Sequence, residues 1–458
     1  MQTAETNKYI KLIPFEKLNF WSVAFLLDRK DHYSNNFRRI RIGEFLTRSR
    51  EIVKIKNDEF YSRVTVRMNS NGVILRDKEK GENIGTKNQF KARIGQFIVS
   101  KIDARNGAFG IIPDELDGAI VTNDFPLFNI NTDKINPLFF FLLTTTNAFI
   151  QFANSCSSGT TNRQRMDVEQ FLNFEIPLPS LEEQELIAKN FYGNIKKAEQ
   201  LEKQAENLEK EIEQYLFEQI GLKHIKTKNR TTNLNIIEYK NIFEWGTDKI
   251  MSDSKFDSEI YDLVSLSNYN LGIQEVFRGK SPKYAIKSNK YILNQKCNRW
   301  NKIEIEFAKP VIEEWHNSIA EKFFTKPGDI IINSTGEGTI GRSTYITSDF
   351  KDLVYDSHIL LLRLNSEVFN PELFVELFNS SFGQTQVEEI KSAQATKQTE
   401  LGISNLLKIK IPVIDDIYKQ RSIVANIKHL RAKLLLDILD AALLRSDANK
   451  KFEQTIFN

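Results

Sequence analysis

Residues 176–184, IPLPSLEEQ, decide the fold of this chain because they join two kinds of sequence. Before them, short apolar runs alternate with turn signals, and after them comes a long charged stretch with helical spacing. The start of this motif returns 235 residues later as residues 411–413, IPV, and a second long helical stretch follows it. The chain therefore contains the same arrangement twice, a globular part followed by a helix.

Two further landmarks repeat at nearly the same offset. Residues 136–139, NPLF, correspond to residues 370–373, NPEL, at an offset of 234, and residues 94–100, IGQFIVS, align with residues 327–333, PGDIIIN, at 233. Such small differences fit a duplicated domain with short loop insertions. In each copy the Asn-Pro pair predicts the start of a helix, because Asn caps helices and Pro suits their first position. We expect the first of these helices to carry Leu138, Phe141, Leu142, Thr145 and Phe149 on one face.

Each long helical stretch carries an apolar stripe. In the central stretch apolar residues recur at spacings of three and four, with Glu and Lys between them, which is heptad spacing. An isolated helix with so many charges is marginal, so the stripe needs a partner, and the C-terminal stripe is the natural one. The predicted packing residues are Ala198, Leu201, Ala205, Leu208 and Ile212 in the first stripe and Ile423, Ile427, Leu430, Leu434 and Ile438 in the second.

Composition narrows the class of protein. The chain has 458 residues and a net charge of only +3, but residues 41–93 carry 13 Lys and Arg against 7 Asp and Glu, whereas residues 181–220 carry 5 against 10. A basic globular part and an acidic helix suggest different partners. The two cysteines, Cys156 and Cys297, exclude a disulfide framework and a Cys-rich metal site. The first residues lack a signal-peptide pattern and no apolar run is long enough to span a membrane, so we expect a cytoplasmic protein.

Catalytic motifs are incomplete. The NPLF sequence is close to the Asn-Pro-Pro-Phe/Tyr motif of adenine methyltransferases, but both copies lack the second proline. The glycines Gly336, Gly338 and Gly341 match the spacing of dinucleotide binders, yet no strand–helix–strand crossover surrounds them. We interpret this loop as a tight turn between two strands. We therefore assign no catalytic, cofactor-binding or metal-binding residue and expect a protein that is not an enzyme.

Because the catalytic motifs are incomplete, we expect the chain to bind and recognise another molecule. Residues 94–100 and 327–333 each contain an apolar run that predicts a buried strand. Two polar segments recur in the repeats, one directly after this strand and one before the Ile-Pro motif. Arg, Asn and Gln can contact base edges in pairs of hydrogen bonds, and Ser, Thr and Lys suit phosphates. The candidate DNA-binding residues are Ser100, Lys101, Arg105, Asn106, Arg163, Gln164 and Arg165 in the first copy and Ser334, Thr335, Arg342, Lys397 and Gln398 in the second. Trp300, with Arg299, Asn301 and Lys302, forms a further candidate cluster.

With these motifs the chain resembles the specificity subunits of Type I restriction–modification systems. Residues 176–184 and the helix after them are similar to the boundary between a target recognition domain and a spacer helix in that family. Residues 95–101, and residues 328–333 together with Gly341 and Arg342, look like its strand–loop signature. The resemblance covers nearly the whole chain.

The resemblance implies an α+β fold. It consists of two tandem α/β target recognition domains, residues 1–180 and 223–413, joined by long helices that pair as an antiparallel coiled coil. The central spacer helix is expected at residues 181–222 and the C-terminal spacer helix at residues 414–458.

The resemblance also implies an assembly on double-stranded DNA. Each recognition domain would read one half of a bipartite, non-palindromic site, and two methyltransferase subunits would dock on the chain, joined by restriction subunits. S-adenosylmethionine would belong to the methyltransferase subunits, and ATP with Mg to the restriction subunits.

The second boundary departs from the family pattern, because residues 411–420, IPVIDDIYKQ, lose the second proline and the Glu-Glu pair. This departure puts the length and docking of the second helix in question. Two other classes remain open from the residues alone. They are a DNA- or RNA-binding coiled-coil scaffold of another defence complex and a stand-alone DNA methyltransferase.

Overall fold

The computed structural model describes residues 36–158, 165–224, 256–267, 272–391 and 400–457. The chain forms two compact units. Unit 1 is discontinuous and consists of the residues up to Leu201 together with those from Leu439 onward. Unit 2 comprises Glu202–Ile438. Each unit therefore contains part of both long helices.

Unit 1 begins with the strands and short helices of the first repeat. Its strands are β1 (Arg38–Arg41), β2 (Leu46–Ser49), β3 (Ile52–Lys54), β4 (Phe60–Val66), β5 (Val73–Lys80), β6 (Asn88–Lys91), β7 (Phe97–Val99), β8 (Phe109–Ile111), β9 (Ile120–Val121), β10 (Leu127–Ile130), β11 (Ser157–Ser158), β12 (Arg165–Met166) and β13 (Glu175–Leu178). Its helices are α1 (Pro137–Thr144), α2 (Asn147–Ser155), α3 (Val168–Leu172) and the first half of α4 (Leu181–Ile220).

Unit 2 contains the second repeat. Its strands are β14 (Leu222–His224), β15 (Phe256–Ser258), β16 (Leu263–Ser265), β17 (Ile273–Arg278), β18 (Tyr291–Leu293), β19 (Asn298–Arg299), β20 (Lys302–Ile303), β21 (Lys309–Pro310), β22 (Ile330–Asn333), β23 (Ser343–Tyr345), β24 (Val354–Tyr355), β25 (Ile359–Leu364) and β26 (Lys410–Pro412). Its helices are α5 (Glu313–Asn317), α6 (Pro371–Asn379), α7 (Ser381–Lys391), α8 (Ile403–Leu406) and the first half of α9 (Ile417–Phe457).

The same antiparallel sheet lies at the centre of each unit. In unit 1 the strand order is β2-β10-β7-β8, and in unit 2 it is β17-β25-β22-β23. The central strands β7 and β22 are completely buried, as continuous apolar runs predict. A second sheet in each unit contains one parallel pair, β4 with β9 in unit 1 and β18 with β24 in unit 2. The repeat in the sequence is therefore a repeat of fold.

The cores of the two units differ in chemistry. Unit 1 is rich in phenylalanine, and the rings of Phe97 and Phe140 lie 4.8 Å apart, while Phe149 and Phe171 lie 6.1 Å apart. The core of unit 2 is built mainly from Ile and Leu. Aromatic pairs at these distances add about 0.5–1.5 kcal/mol each beyond the burial of their area.

The Asn-Pro helices begin as predicted. The Asn136 side chain accepts hydrogen bonds from the backbone N–H groups of Leu138 and Phe139, and Asn370 caps α6 in the same way. The expected face of the first helix was wrong. Helix α1 ends at Thr144, a new helix begins at Asn147 with Thr146 as its cap, and Leu138 is exposed. The second cap interrupts the helical period, so residues on either side of it do not share a face.

The long helices pair within each unit. In unit 1 the rings of Phe191 on α4 and Phe452 on α9 lie 6.1 Å apart. In unit 2 Asn426 Nδ2 on α9 donates to the Tyr215 hydroxyl on α4 at 2.7 Å. The start of α4 thus meets the end of α9, and the end of α4 meets the start of α9, which is the pattern of an antiparallel pair. Among the helices that the structure describes, none is long and apolar enough to cross a membrane.

Most of the predicted stripe is buried. Ala198, Ala205, Leu208 and Ile212 are buried on α4, as are Ile423, Ile427 and Leu434 on α9, while Leu201 and Leu430 are partly buried. The prediction that Ile438 packs in the stripe was wrong, because its side chain is 45% exposed. After Leu434 the next buried positions on α9 are Ala441 and Ala448, and the partly buried Asp437 lies between Leu434 and Ala441. The packing period therefore passes through Asp437 and turns Ile438 toward solvent.

A candidate nucleic-acid interface in each unit

The loop after the central strand carries the first predicted surface. In unit 1 it follows β7 and ends at Gly107, which has a φ of 72° and therefore suits glycine. Asp103 donates its backbone N–H to the Ser100 hydroxyl at 3.2 Å. Arg105 is half-buried and Asn106 is exposed. A hydrogen bond within the loop thus stabilises its first residues, and Asn106 near its end is exposed at the surface.

Two candidate residues do not reach the surface. Ser100 in unit 1 and Ser334 in unit 2 are both buried, and the Ser334 hydroxyl has no hydrogen-bond partner among the described residues. A buried hydroxyl cannot meet a DNA strand without opening the fold. These two serines are therefore corrected from DNA contacts to residues that support the loop.

In both units a residue just after the second predicted polar segment lies against the first predicted segment. In unit 1 the Met166 backbone N–H, just after the second segment, donates to the Lys101 carbonyl at 2.9 Å. In unit 2 the Leu401 N–H donates to the Ser334 carbonyl at 2.7 Å. Described residues more than 60 positions apart in sequence therefore lie side by side at the same loop.

A third segment joins this surface from the neighbouring strand. The Lys101 N–H donates to the Asp124 carbonyl at 2.8 Å, and the Ser334 N–H donates to the His358 carbonyl at 2.8 Å. Asp124 and His358 are separated by 234 residues, which is the repeat offset. Each unit thus builds its surface on the same three-segment frame.

The side chains on the two frames differ. In unit 1 Arg165 Nε lies 3.2 Å from Asp124 Oδ1, beside Lys101. In unit 2 the Thr335 hydroxyl lies 2.8 Å from His358 Nδ1, and Arg278 pairs with Glu400. A shared backbone with different polar side chains is suited to contact one type of partner in two different ways.

The glycine-rich loop of unit 2 is a turn, as expected. It connects β22 and β23, which are adjacent and antiparallel, so it lacks the strand-to-helix geometry of a dinucleotide site. Gly336, Gly338 and Gly341 have φ values of 100°, 70° and 82°. Glycine adopts these positive φ values without strain because it has no Cβ, and the chain can therefore fold back tightly here.

Arg342 ends this loop in an unusual environment. Its Nη2 donates to the Gly338 carbonyl at 2.8 Å, its guanidinium lies 5.7 Å from the Trp300 ring centre, and its Nε is buried without a hydrogen-bond partner among the described residues. Burial, followed by the charge of Arg299, lowers the pKa of Arg342. A guanidinium with spare donors near a second one is well placed to gain from an anionic partner.

Four candidates, Arg163, Gln164, Lys397 and Gln398, lie outside the described residues. Their flanks are described in unit 1, where β11 and β12 pair and place Ser158 opposite Arg165. No group of three His, Cys, Asp or Glu residues within the described ranges is arranged to hold a metal ion.

A hairpin beside each surface was missed at the sequence level. In unit 1 the turn between β4 and β5 donates from the N–H groups of Asn69 and Ser70 to the carbonyls of Asn106 and Gly107, both at 2.7 Å. In unit 2 the turn between β19 and β20 donates from Asn301 N–H to the Ser343 carbonyl at 3.2 Å. The sequence Asn71-Gly72 favours a hairpin turn at this position, but nothing in the local sequence shows where the tip would dock.

The chain is similar to a known family model and to two solved structures. Residues 36–214 match the model of the Type I restriction modification DNA specificity domain. A solved structure described as the structural basis of complex assembly and conformational transition of the type I R-M system is similar at a TM-score of 0.56 and 14% identity, covering 92% of this chain and 97% of that one.

The S subunit of a Type-I restriction-modification system from M. genitalium is similar at a TM-score of 0.50 and 13% identity, covering 93% of this chain and 98% of that one. At these identities the structures support the fold. Comparison with curated proteins gives no match.

Proposed function

We propose, from the membership of residues 36–214 in the family of Type I restriction modification DNA specificity domains, that this chain is the DNA-recognition subunit of such a system. Each unit reads one half of a bipartite, non-palindromic DNA site. The chain supplies recognition, and the methylation and cleavage chemistry belongs to its partner subunits, with S-adenosylmethionine in one and ATP with Mg in the other.

The proposal of a bipartite site is supported by the three-segment frame, which occurs in both units with different side chains. Asp124 and Arg165 stand in unit 1 where His358 and Glu400 stand in unit 2. Bases are distinguished by the donor and acceptor pattern of their edges. Two surfaces of different chemistry on one frame therefore select two different base sequences.

The paired helices support a fixed gap between the half-sites. A continuous helix rises about 1.5 Å per residue and resists bending, whereas a flexible linker would allow many spacings. Two linked readers also raise the effective concentration of the second at its half-site. Moderate affinity in each unit is then enough for tight binding.

Exposed leucines on α9 support docking of a methyltransferase subunit. Leu435 and Leu436 in unit 2 and Leu439 and Leu443 in unit 1 are each more than half exposed. Neighbouring apolar side chains at a surface mark sites of protein association. We assign them to two methyltransferase subunits, one for each half-site, with restriction subunits joining the complex.

The test is selection on randomised duplex DNA. The full-length chain, co-purified with its methyltransferase subunit, is bound to the library and the retained duplexes are sequenced. We expect two enriched blocks at a constant gap. Replacing Arg163, Gln164 and Arg165 with Ala should change one block, and Arg342→Ala should change the other.

Lys223→Ala is the control, because Lys223 is exposed in unit 2 and pairs only with Glu259 among the contacts described for it. Retention that ignores sequence would contradict sequence recognition and favour a scaffold role in another complex. A single palindromic block would contradict the division into two readers.

A further inference from the structure

A short motif recurs at the two hairpin tips that lie beside the recognition surfaces. Residues 67–69 are Arg-Met-Asn and residues 299–301 are Arg-Trp-Asn, at an offset of 232. The offset is that of the whole repeat to within three residues. The motif therefore occupies equivalent places in the two units, and only its second copy, around Trp300, was a candidate from the sequence.

The asparagine of each motif shapes the tip. Asn69 has a φ of 57° and Asn301 a φ of 56°, in the left-handed region that asparagine tolerates better than most residues. In each case its backbone N–H is also the tether to the neighbouring loop, through the Asn106 carbonyl in unit 1 and the Ser343 carbonyl in unit 2.

Unit 2 adds a second set of tethers. Asn379 Nδ2 donates to Asn301 Oδ1 at 2.7 Å, and Asn379 Oδ1 accepts from the Ser343 N–H at 3.0 Å. At the base of the hairpin, the buried Asn298 donates to the Arg342 carbonyl at 2.9 Å. The tip is thus rigidly fixed, which lowers the entropy lost when it meets a partner.

The middle residue of each motif projects from the tip. Met68 is 51% exposed and Trp300 is 46% exposed, although both are large apolar side chains. Each stands next to an arginine, and the Trp300 ring also faces the Arg342 guanidinium at 5.7 Å. An exposed apolar side chain flanked by positive charge on a rigid ribbon suits a nucleic acid, whose bases are apolar on their faces and whose backbone is anionic.

We propose that Met68 and Trp300 are specificity residues, each contacting base edges in one half-site while Arg67 and Arg342 supply charge beside them. This inference rests on the proposed function, since it requires double-stranded DNA as the partner. The major groove admits a two-stranded β-ribbon, and apolar side chains contact the thymine methyl group there. Because methionine and tryptophan differ in size and shape, the two tips read different bases.

The test compares Met68→Ala and Trp300→Ala in the randomised-duplex selection with the full-length chain. We expect Met68→Ala to change the base preference at one or a few adjacent positions of one block, and Trp300→Ala to do so in the other block. The loss of enrichment for the preferred base should be about 5- to 150-fold, the range of a good base contact.

Matched controls separate readout from folding. Phe60 lies at the opposite end of β4 and is 70% exposed, so Phe60→Ala removes a comparable apolar side chain from the same hairpin. Ile286, which is 98% exposed, serves in the same way for unit 2. Asn69→Gly keeps the left-handed tip without its side chain and should retain the wild-type sequence preference.

Three results would overturn the inference. Unchanged blocks in both variants would show that the tips do not read bases, while the wild-type blocks would still support the proposed function. Weaker retention with an unaltered base preference would assign the tips to backbone contact. If the wild-type chain itself enriches no sequence, the proposed function fails and this inference fails with it.

Discussion

The side chain of Gln184 accepts a hydrogen bond from the backbone N–H of Asn136 at 2.7 Å. Gln184 lies in the first turn of the long helix α4, and Asn136 caps α1. The same side chain donates to the Pro179 carbonyl at 2.9 Å and is completely buried. One glutamine therefore joins the start of the spacer helix to the recognition fold of unit 1.

Unit 2 repeats this connection. Gln420 Oε1 accepts from the Asn370 N–H at 2.7 Å, and its Nε2 donates to the Ile414 carbonyl at 2.7 Å. The second boundary lost a proline and the Glu-Glu pair but kept this glutamine. The retained residue is the one that makes the buried hydrogen bonds, so α9 is anchored as α4 is.

Replacing either glutamine should loosen its own unit. Gln184→Ala and Gln420→Ala each leave a buried N–H and a buried carbonyl without a partner, at a cost of about 1–3 kcal/mol for each unsatisfied group. Urea unfolding of the full chain measures the loss. Gln214→Ala, at an exposed position of α4, should stay within about 0.5 kcal/mol of the wild type. Equal stability of all three variants would contradict the anchoring role.

The helix pair should be sensitive to Ile427 and insensitive to Ile438. Ile427 is completely buried against α4, so Ile427→Ala should cost about 2–5 kcal/mol of unfolding free energy. Ile438→Ala on the same helix should change it by less than about 0.5 kcal/mol because the side chain already meets solvent. A large loss at Ile438 would show that the packing stripe runs where the heptad pattern first placed it.

Lengthening the helices should change the gap between half-sites if the ruler proposal is right. Four residues inserted into α4 within residues 198–215, with a matching insertion in α9, add about 6 Å of helix. At 3.4 Å per base pair the gap should grow by about two base pairs. Sequencing of selected duplexes measures it directly, and an unchanged gap with both blocks intact would end the ruler model.

The buried carboxyl of Asp356 should make unit 2 more sensitive to pH. Burial raises the pKa of Asp356, and this outweighs the hydrogen bond from the His358 N–H and the charges of His358 and Lys309, which lower it. A carboxyl whose pKa is raised on folding favours the folded state below its unfolded pKa, and that contribution is lost as pH rises through the folded value.

Asp356→Asn removes this loss while keeping an oxygen that accepts from His358. We expect the variant to be more stable than the wild type at pH 7 and to lose this advantage at about pH 3, below the ordinary carboxyl range. Urea unfolding at several pH values measures the difference. Asp415→Asn, at an exposed position of the same unit, should show neither effect. A destabilised Asp356→Asn at pH 7 would mean that the ionised carboxyl is needed.

Local sequence was a good guide wherever structure follows from short-range chemistry. The helices that start at Pro137 and Pro371, the buried strands around Phe97 and Ile331, and the two long helices all appear close to where capping and periodicity predicted them. The errors in the predicted helix faces arose where a second cap or a change of packing phase intervened, as at Thr146 and Asp437. Neither event leaves a clear signal in the period of the apolar residues.

The sequence by itself determined that the chain is duplicated, that each copy ends in a long helix and that complete catalytic motifs are missing, because repeats, caps and periodicity are local properties of the chain. Only the tertiary structure decided which polar segments share a surface. The contacts of Met166 with Lys101 and of Asn69 with Asn106 join residues distant in sequence. Such contacts depend on how the sheets stack and how the loops close, and that is set by the packing of the whole unit.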